Sequence, residues 1–293
     1  MSCDSISPRV SRRRGLTLVL LAFALSAASA PAALADSTQS SNWAGYAIHR
    51  SGVTFTKVIG AWRQPSATCT AGSPAYSSAW VGLGGYSETS KALEQIGSEA
   101  DCSASGKVVS SLWYEIVPAA SRTIRVKVNP GDDLTASVTV TGHSVRLQLD
   151  DLTRQRSFTK TVHASTVDVS SADWILEAPS ECADSFSCRT LTLADFGSTT
   201  FSRASAVTTA GHTGRIADRR WNATKITLAA SGRPFIDSSA NSGVVSASPS
   251  PLAAQGSSFT VTYRGSSAPS PAVSNTQRRA STAMIVRPRL MPR

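Results

Sequence analysis

The segment from Ala172 to Ala178 combines a strand pattern with a charge that a buried strand does not normally carry. Its sequence is Ala-Asp-Trp-Ile-Leu-Glu-Ala. Strand alternation places Asp173 and Glu177 on one face, and the bulky Trp174 and Leu176 on the opposite one. Held on a stiff strand beside aromatic residues, the Glu177 carboxylate is suited to acid–base work. The alternative is a solvated Glu on the exposed face of an edge strand.

Four more segments carry Trp, Gly, Gln or Glu in a fixed order along the chain. They are NWAGY at 42–46, SAWVGLGG at 78–85, LEQIG at 93–97 and LWYEIVP at 112–118. Alternation puts Trp113 and Glu115 on the same strand face. A face that mixes Trp and Glu fits a groove better than a core. Taken singly, Gln95 is equally consistent with a polar loop residue, and the tryptophans with core packing.

In order and spacing these five segments resemble the glutamic peptidases, or eqolisins, over about residues 41–264. The resemblance implies an all-β, concanavalin-like sandwich of two packed antiparallel sheets, with the substrate groove on the concave sheet. It implies a catalytic dyad of Gln95 and Glu177. Trp80 and Trp113 match groove tryptophans, and Glu115 matches a carboxylate beside the dyad. The implied reaction needs no metal and no cofactor.

The chemistry of such a pair follows from its side chains. Hydrolysis of an amide needs a base for the water, an acid for the leaving nitrogen and donors for the oxyanion. Glu177 could serve first as the base and then as the acid. The Gln95 amide could donate to the oxyanion through its nitrogen and orient the water through its oxygen, because it offers both functions without charge.

The chain departs from the fungal members of the family at two acidic positions. Gly84 stands where those members carry an Asp after the Trp-Val-Gly-Ile run. A second acid after the Gln-x-Gly motif is matched only loosely, by Glu99 or Asp101. Loss of the first carboxylate predicts a weaker hydrogen-bond network around the dyad, or a pH optimum above the strongly acidic range.

The elements that must position these residues are short runs rich in Val, Ile, Thr, Trp and Tyr, separated by Gly, Ser, Asp and Pro. Eleven or more strands at this spacing indicate an all-β sandwich. No window has a long apolar stripe at helical period. Between the runs 123–128 and 134–141, residues 129–132 (Asn-Pro-Gly-Asp) predict a tight turn that joins antiparallel strands.

Three regions follow from composition. Residues 1–35 have a basic start, a short apolar core and an Ala-Leu-Ala end, which predicts a cleaved secretory signal. Residues 36–264 form the peptidase-like domain. Residues 265–293 are rich in Ser, Pro, Ala and Arg without any acid, which predicts a disordered basic tail. We therefore expect a secreted, monomeric protein without a membrane span.

The net charge of +10 is concentrated at the two ends of the chain. The first 35 residues hold four Arg and one Asp, and residues 265–293 hold five Arg and no acid, which leaves +2 for residues 36–264. A nucleic-acid-binding protein would carry a basic stripe inside its folded domain. We expect protein or peptide substrates and no nucleic-acid partner.

Four cysteines remain after the predicted signal, an even number that indicates two disulfides in an exported chain. Three pairings are possible, and proximity favours Cys69–Cys102 and Cys182–Cys188. A zinc site is the rival interpretation, although no Cys-x-x-Cys spacing supports it. A hidden Ser/His/Asp triad also stays open, because the chain has four histidines: His49, His143, His163 and His212.

The sequence thus predicts a secreted, metal-independent endopeptidase that activates water with Gln95 and Glu177 and favours acidic pH. The alternative from another class is a non-catalytic sandwich that binds glycan or peptide in the same groove, with its aromatics as stacking platforms.

Overall fold

The computed structural model describes Met1 and residues 36–182, 188–229, 236–237 and 245–265, and its described strands all belong to one compact unit, Ala33–Arg293. The strands, in chain order, are β1 (Asp36–Ser40), β2 (Trp43–His49), β3 (Phe55–Arg63), β4 (Ser78–Gly84), β5 (Leu93–Cys102), β6 (Val108–Ile116), β7 (Arg122–Ile124), β8 (Asp133–Thr141), β9 (Ser144–Asp151), β10 (Arg156–His163), β11 (Ser171–Glu177), β12 (Ser180–Cys182), β13 (Cys188–Thr190), β14 (Ser198–Thr208), β15 (Thr213–Arg215), β16 (Asn222–Ala229), β17 (Ile236–Asp237), β18 (Val245–Pro249) and β19 (Phe259–Tyr263). The predicted all-β class is confirmed.

Two layers are formed by these strands. The first has the order β1-β16-β2-β11-β4-β5-β6-β7, and the second has the order β10-β9-β8-β3-β14-β19-β18. Pairing of β18 with both β16 and β19 joins the layers into one continuous hydrogen-bonded sheet. All pairings among β2, β11, β4, β5 and β6 are antiparallel, whereas β1 runs parallel to β16.

Alternation explains how the layers pack. Alternate side chains of β4 and β11, such as Val81 and Trp174, point toward the second sheet. They are buried in the main core together with Val138 of β8 and Phe201 of β14. The Trp174 indole donates across the interface to the backbone oxygen of Ile59, at 2.7 Å. A large apolar side chain with a satisfied polar edge suits this position.

The turn at 129–132 forms, but the strands before and after it do not pair with each other as predicted. The Asp132 amide donates to the Asn129 oxygen at 3.1 Å, as in a tight turn. However, β7 pairs with β6 in the first sheet, and β8 pairs with β3 and β9 in the second. The turn therefore connects two layers rather than one hairpin, because the chain leaves the edge of the first sheet there. β7 also ends at Ile124, earlier than the predicted run.

The predicted disulfide between Cys69 and Cys102 is present, across a separation of 33 residues. This excludes zinc binding by those two thiols. Backbone register pairs Cys182 of β12 with Cys188 of β13. Their side chains lie outside the described residues, as do the predicted signal and almost all of the tail, so these parts of the prediction stay predictions.

Candidate active site

The first sheet brings polar side chains of three strands into one row that runs across the strands. Register aligns Gln95 of β5 with Glu115 of β6 on one side and with Gly82 of β4 on the other. Gly82 is in turn aligned with Asp173 of β11. Directly opposite residues on neighbouring strands point to the same face. Gln95 and Asp173 therefore flank a residue that has no side chain.

This register distinguishes Asp173 from Glu177. Two strand spacings separate Gln95 from Asp173, about 10 Å between Cα atoms. Glu177 lies four residues further along β11, beside Ser78 and Trp43, which places it about 16 Å from Gln95. Glu177 shares the face of Gln95, and the register places Asp173, two strands from Gln95, nearer to it than Glu177. The role of Glu177 as the base stays a prediction.

Glu115 fixes the orientation of the Gln95 amide. The Gln95 Nε2 donates to Glu115 Oε2 at 2.7 Å, and both side chains are fully buried. In this orientation the amide nitrogen faces Glu115 and the amide oxygen faces away from it. The Gln95 Oε1 atom accepts no hydrogen bond from the described part of the protein. Glu115 thus lies beside Gln95, as the family resemblance implies.

Asp173 is a carboxyl whose environment favours the protonated form. It is fully buried, and the Ser171 hydroxyl donates to its Oδ2 at 3.0 Å. Its Oδ1 accepts no hydrogen bond from described residues. Burial raises the pKa of Asp173 well above its usual range; the Ser171 hydrogen bond opposes this rise, and the nearby charge of Asp168 adds to it.

Glu177 is held by neutral donors. The Trp80 indole donates to its Oε2 at 2.8 Å, and the Asn42 amide donates to its Oε1 at 3.2 Å. Asn42 is itself held by Ser40, whose hydroxyl donates to the Asn42 Oδ1 at 3.1 Å. A buried carboxylate with both oxygens engaged stabilises the geometry of its donors. Glu177 therefore fixes the position of Trp80 on the same face.

The predicted groove tryptophans form a second apolar cluster on this face. Trp80 and Trp113 are 0% and 2% exposed and pack with Trp43 and Ile175. The rings of Trp43 and Trp80 meet edge to face, with centroids 5.1 Å apart. In this structure the two tryptophans are packed against neighbours rather than exposed, so their role as groove walls stays a prediction.

Beyond Asp173 the row ends near the stacked rings of His49 and Tyr86, which the sequence motifs do not predict as site residues. Ala47 of β2 separates Asp173 from Thr224 of β16. The Thr224 hydroxyl contacts the Tyr86 hydroxyl at 3.3 Å and the His49 Nε2 at 3.0 Å, and the two rings stack with centroids 4.3 Å apart. Tyr86 directly follows the segment 78–85, and this adjacency is the only sequence signal for it.

Burial shifts the pKa of both rings, Tyr86 and His49. Burial is the main cause that raises the pKa of Tyr86, and the charge of Asp173 is a further cause. Burial also lowers the pKa of His49, against a smaller opposite effect of Asp36. Both shifts disfavour the charged form of the ring. The two rings can donate or accept hydrogen bonds beside Asp173 without adding charge.

The other predicted chemistries find little support in the described ranges. No histidine ring there is hydrogen-bonded to a serine; His212 instead pairs with Asp218 at 2.7 Å, and His143 with the backbone oxygen of Ala164 at 3.1 Å. Within the same ranges, no three His, Cys, Asp or Glu side chains come together as metal ligands. No helix among them is long and apolar enough to cross a membrane.

Comparison with known proteins bears directly on this row. The model of the Peptidase A4 family matches residues 41–248, which include every strand of the row. Aspergillopepsin-2 of Aspergillus niger is 31% identical over 191 residues, 57% of this chain. The match spans 64% of that relative's own length.

Solved structures share the fold. Scytalido-glutamic peptidase, solved with a peptide-based transition state analog, matches with a TM-score of 0.61 and 22% identity, over 76% of this chain and 98% of its own. Aspergilloglutamic peptidase from Aspergillus niger matches with a TM-score of 0.50 and 27% identity, over 65% of this chain and 99% of its own.

Proposed function

Because the chain belongs to the Peptidase A4 family, the glutamic peptidases or eqolisins, we propose that it is a secreted endopeptidase that hydrolyses peptide bonds in proteins or peptides. One observation carries the proposal. Gln95 and Asp173 stand on either side of Gly82, and each has one buried oxygen that accepts no hydrogen bond from described residues. Buried polar atoms are normally hydrogen-bonded, so each of these oxygens can accept a hydrogen bond, and in the proposed reaction a water molecule donates to Asp173.

That water is the nucleophile of the proposed reaction. Ionised Asp173 takes one of its protons while its oxygen attacks the carbonyl carbon of the peptide bond. The tetrahedral oxyanion accepts a hydrogen bond from the second N–H of Gln95, since Glu115 engages the first. Protonated Asp173 then returns the proton to the leaving nitrogen. A preorganised donor of this kind lowers the barrier by about 3–4 kcal/mol.

Glu177 is the other candidate base, as the family resemblance implies. The Trp80 indole and the Asn42 amide each donate to one of its oxygens, which leaves a further lone pair on each oxygen for a water molecule. The raised pKa of Asp173 also has a consequence for pH. Because Asp173 must be ionised to act as the base, activity should increase as the pH rises through that pKa, and the optimum should lie above the strongly acidic range.

Degradation of denatured casein from about pH 3 to about pH 8 tests the proposed function. We expect cleavage by the secreted protein in the presence of a chelator, and a loss of about 100-fold or more in Gln95→Ala. Gln148→Ala is the matched control, because Gln148 lies on β9 of the other sheet and bonds only its neighbour Asp150. Equal cleavage by both variants would contradict the proposed role of Gln95.

The observed packing does not separate hydrolysis from a non-catalytic binding sandwich. Stacking on a sugar needs an exposed aromatic face, and Trp43, Trp80 and Trp113 are buried, but Gln95 and Asp173 are buried as well. Saturable peptide binding without any cleavage in the same assay would favour that alternative over hydrolysis.

A further inference from the structure

Two of the four histidines come together at one end of the second sheet. His143 lies in the two-residue turn between β8 and β9, and His163 is the last residue of β10. Register places His163 opposite Ser144, the residue that follows His143. The centroids of the two imidazole rings are 5.8 Å apart, and the ring planes are inclined by 43°. Both residues are exposed, so the pair can be reached from solvent.

Hydrogen bonds to Ala164 fix the orientation of His143. The Ala164 amide donates to the His143 backbone oxygen at 2.9 Å, and the His143 Nδ1 atom lies 3.1 Å from the Ala164 oxygen. Because a carbonyl oxygen only accepts, Nδ1 is the nitrogen that carries the proton in this contact. The lone pair of the neutral ring then belongs to Nε2. A backbone carbonyl on one ring nitrogen is the usual arrangement where the other nitrogen binds a metal ion.

The His163 ring supplies the second donor. Among the described residues, neither of its ring nitrogens has a hydrogen-bond partner. Imidazole nitrogens suit Zn²⁺, Cu²⁺ and Ni²⁺, whereas Mg²⁺ and Ca²⁺ select oxygen ligands. A zinc ion lies about 2.0–2.1 Å from each nitrogen that binds it. Two ligating rings must therefore be near neighbours, as His143 and His163 are.

We propose that His143 and His163 together bind one divalent metal ion of the Zn²⁺, Cu²⁺ and Ni²⁺ class, with water molecules as the remaining ligands. A pair is a smaller set than the groups of three ligating side chains that the described ranges lack. The site belongs to the second sheet, whereas Gln95 and Glu177 lie on β5 and β11 of the first. It goes beyond the proposed function and does not rest on it.

A bound ion would join two parts of the chain that otherwise meet through main-chain hydrogen bonds. β10 pairs with β9 and with no other described strand, so it is an edge of the second sheet. The ion would link the end of this edge strand, at His163, to the turn that carries His143. Because the two rings are brought together by the fold, an ion that binds both stabilises the folded state.

Isothermal titration calorimetry of the full chain, prepared without a polyhistidine tag, tests the site with ZnCl₂ as the probe. We expect one Zn²⁺ per chain, and no heat of binding from MgCl₂ at the same concentration. Zinc affinity should fall by about tenfold or more in His143→Gln and in His163→Gln, since loss of a ligand costs at least as much as loss of its outer partner. Zinc should also raise the melting temperature of the wild type more than that of either variant.

His212→Gln is the matched control, because His212 lies between β14 and β15 and pairs with Asp218 at 2.7 Å. It should bind zinc as the wild type does. If His143→Gln does not fold, His163→Gln carries the test, because its ring has no hydrogen bond to lose among the described residues. Equal zinc affinity in the wild type and in folded His163→Gln would overturn the proposal, as would no binding by the wild type at about 1 mM zinc.

Discussion

At the residue scale, the buried carboxyls of the first sheet differ in what surrounds them rather than in type. Glu177 receives an indole and an amide donor, whereas Asp173 receives one hydroxyl. Glu94 points to the inter-sheet side and receives one long backbone contact, from the Asp168 amide at 3.4 Å. Burial raises the pKa of Glu94 from 4.5 to about 8, with a further contribution from Asp168. For Glu94 and Asp173, burial is the main cause of the raised pKa, and the few hydrogen bonds that these carboxyls accept offset it only in part.

Glu94 makes the stability of the fold depend on pH. A carboxyl whose pKa is raised on folding keeps its proton in the folded state while the unfolded chain releases it, so stability falls between about pH 4.5 and about pH 8. We expect the free energy of urea unfolding to fall over this window by about 3–5 kcal/mol more in the wild type than in Glu94→Gln. Exposed Glu88→Gln should behave like the wild type, and parallel curves for Glu94→Gln would refute the effect.

The residue scale also shows what sequence reasoning could and could not supply. Alternation groups Asp173 with Glu177, and the family resemblance places Glu115 beside Gln95, which the register shows. The distance of each carboxyl of β11 from Gln95 depends on which residue of β4 lies between β5 and β11. That register is set by pairing of strands about 80 residues apart, which no local pattern records.

At the element scale, β4 is the centre of the site. Its Gly82 lies between Gln95 of β5 and Asp173 of β11. Gly82 places no side chain of its own between Asp173 and Gln95, so the Trp80 ring and the Leu93 side chain approach its backbone closely there, and Gly97 of β5 lets the Trp80 side chain pack closely. A Cβ atom on Gly97 would lie 2.3 Å from the Ala79 oxygen, whereas one on Gly82 would have its nearest neighbours at 3.0 Å. The two glycines therefore serve different purposes.

Alanine substitutions should separate these purposes. Gly82→Ala adds a methyl group that meets the Glu94 oxygen, the Trp80 ring and the Leu93 side chain at 3.0–3.1 Å. Because these groups must shift between Asp173 and Gln95, we expect kcat/KM to fall by about 100-fold, with a loss of about 1–3 kcal/mol of unfolding free energy. Gly97→Ala collides with backbone and should cost about 2–3 kcal/mol of unfolding free energy. Peptide cleavage and urea unfolding of both variants measure this. Wild-type activity in a folded Gly82→Ala would contradict the position of the reacting water.

The positions of the strands were easier to predict than which strands pair with each other. The runs starting near residues 55, 134 and 145 correspond closely to β3, β8 and β9, because alternation is a local property. Short strands such as β15 and β17 carry too little pattern to be seen. The turn at 129–132 was found from its residue types, but its role as a connection between sheets depends on tertiary packing.

At the scale of the whole molecule, two packed sheets supply the core and one disulfide restrains the loop that contains β4. Cys69 and Cys102 enclose residues 70–101, so the crosslink restricts β4 and most of β5 in the unfolded chain. The chain-entropy model assigns such a loop about 3–4 kcal/mol. Stability of the candidate active site is thus coupled to an oxidising compartment.

Removal of this crosslink should destabilise the whole fold. We expect Cys69→Ser/Cys102→Ser to lose about 3–4 kcal/mol in urea unfolding. The single variant Cys69→Ser serves as the control and should lose about as much, since either change breaks the same bond. A double variant as stable as the oxidised wild type would show that the loop is already ordered in the unfolded state.

The most direct measurement is kcat/KM on one fluorogenic peptide for Asp173→Asn and Glu177→Gln, each tested across the same pH range. The register predicts that Asp173→Asn loses about 1,000-fold or more, as expected when a catalytic base is removed, and that Asp173→Glu keeps measurable activity because it retains a carboxyl. Glu177→Gln should lose less, through displacement of Trp80. A folded Asp173→Asn with wild-type activity, together with an inactive Glu177→Gln, would contradict the account and return the base to Glu177.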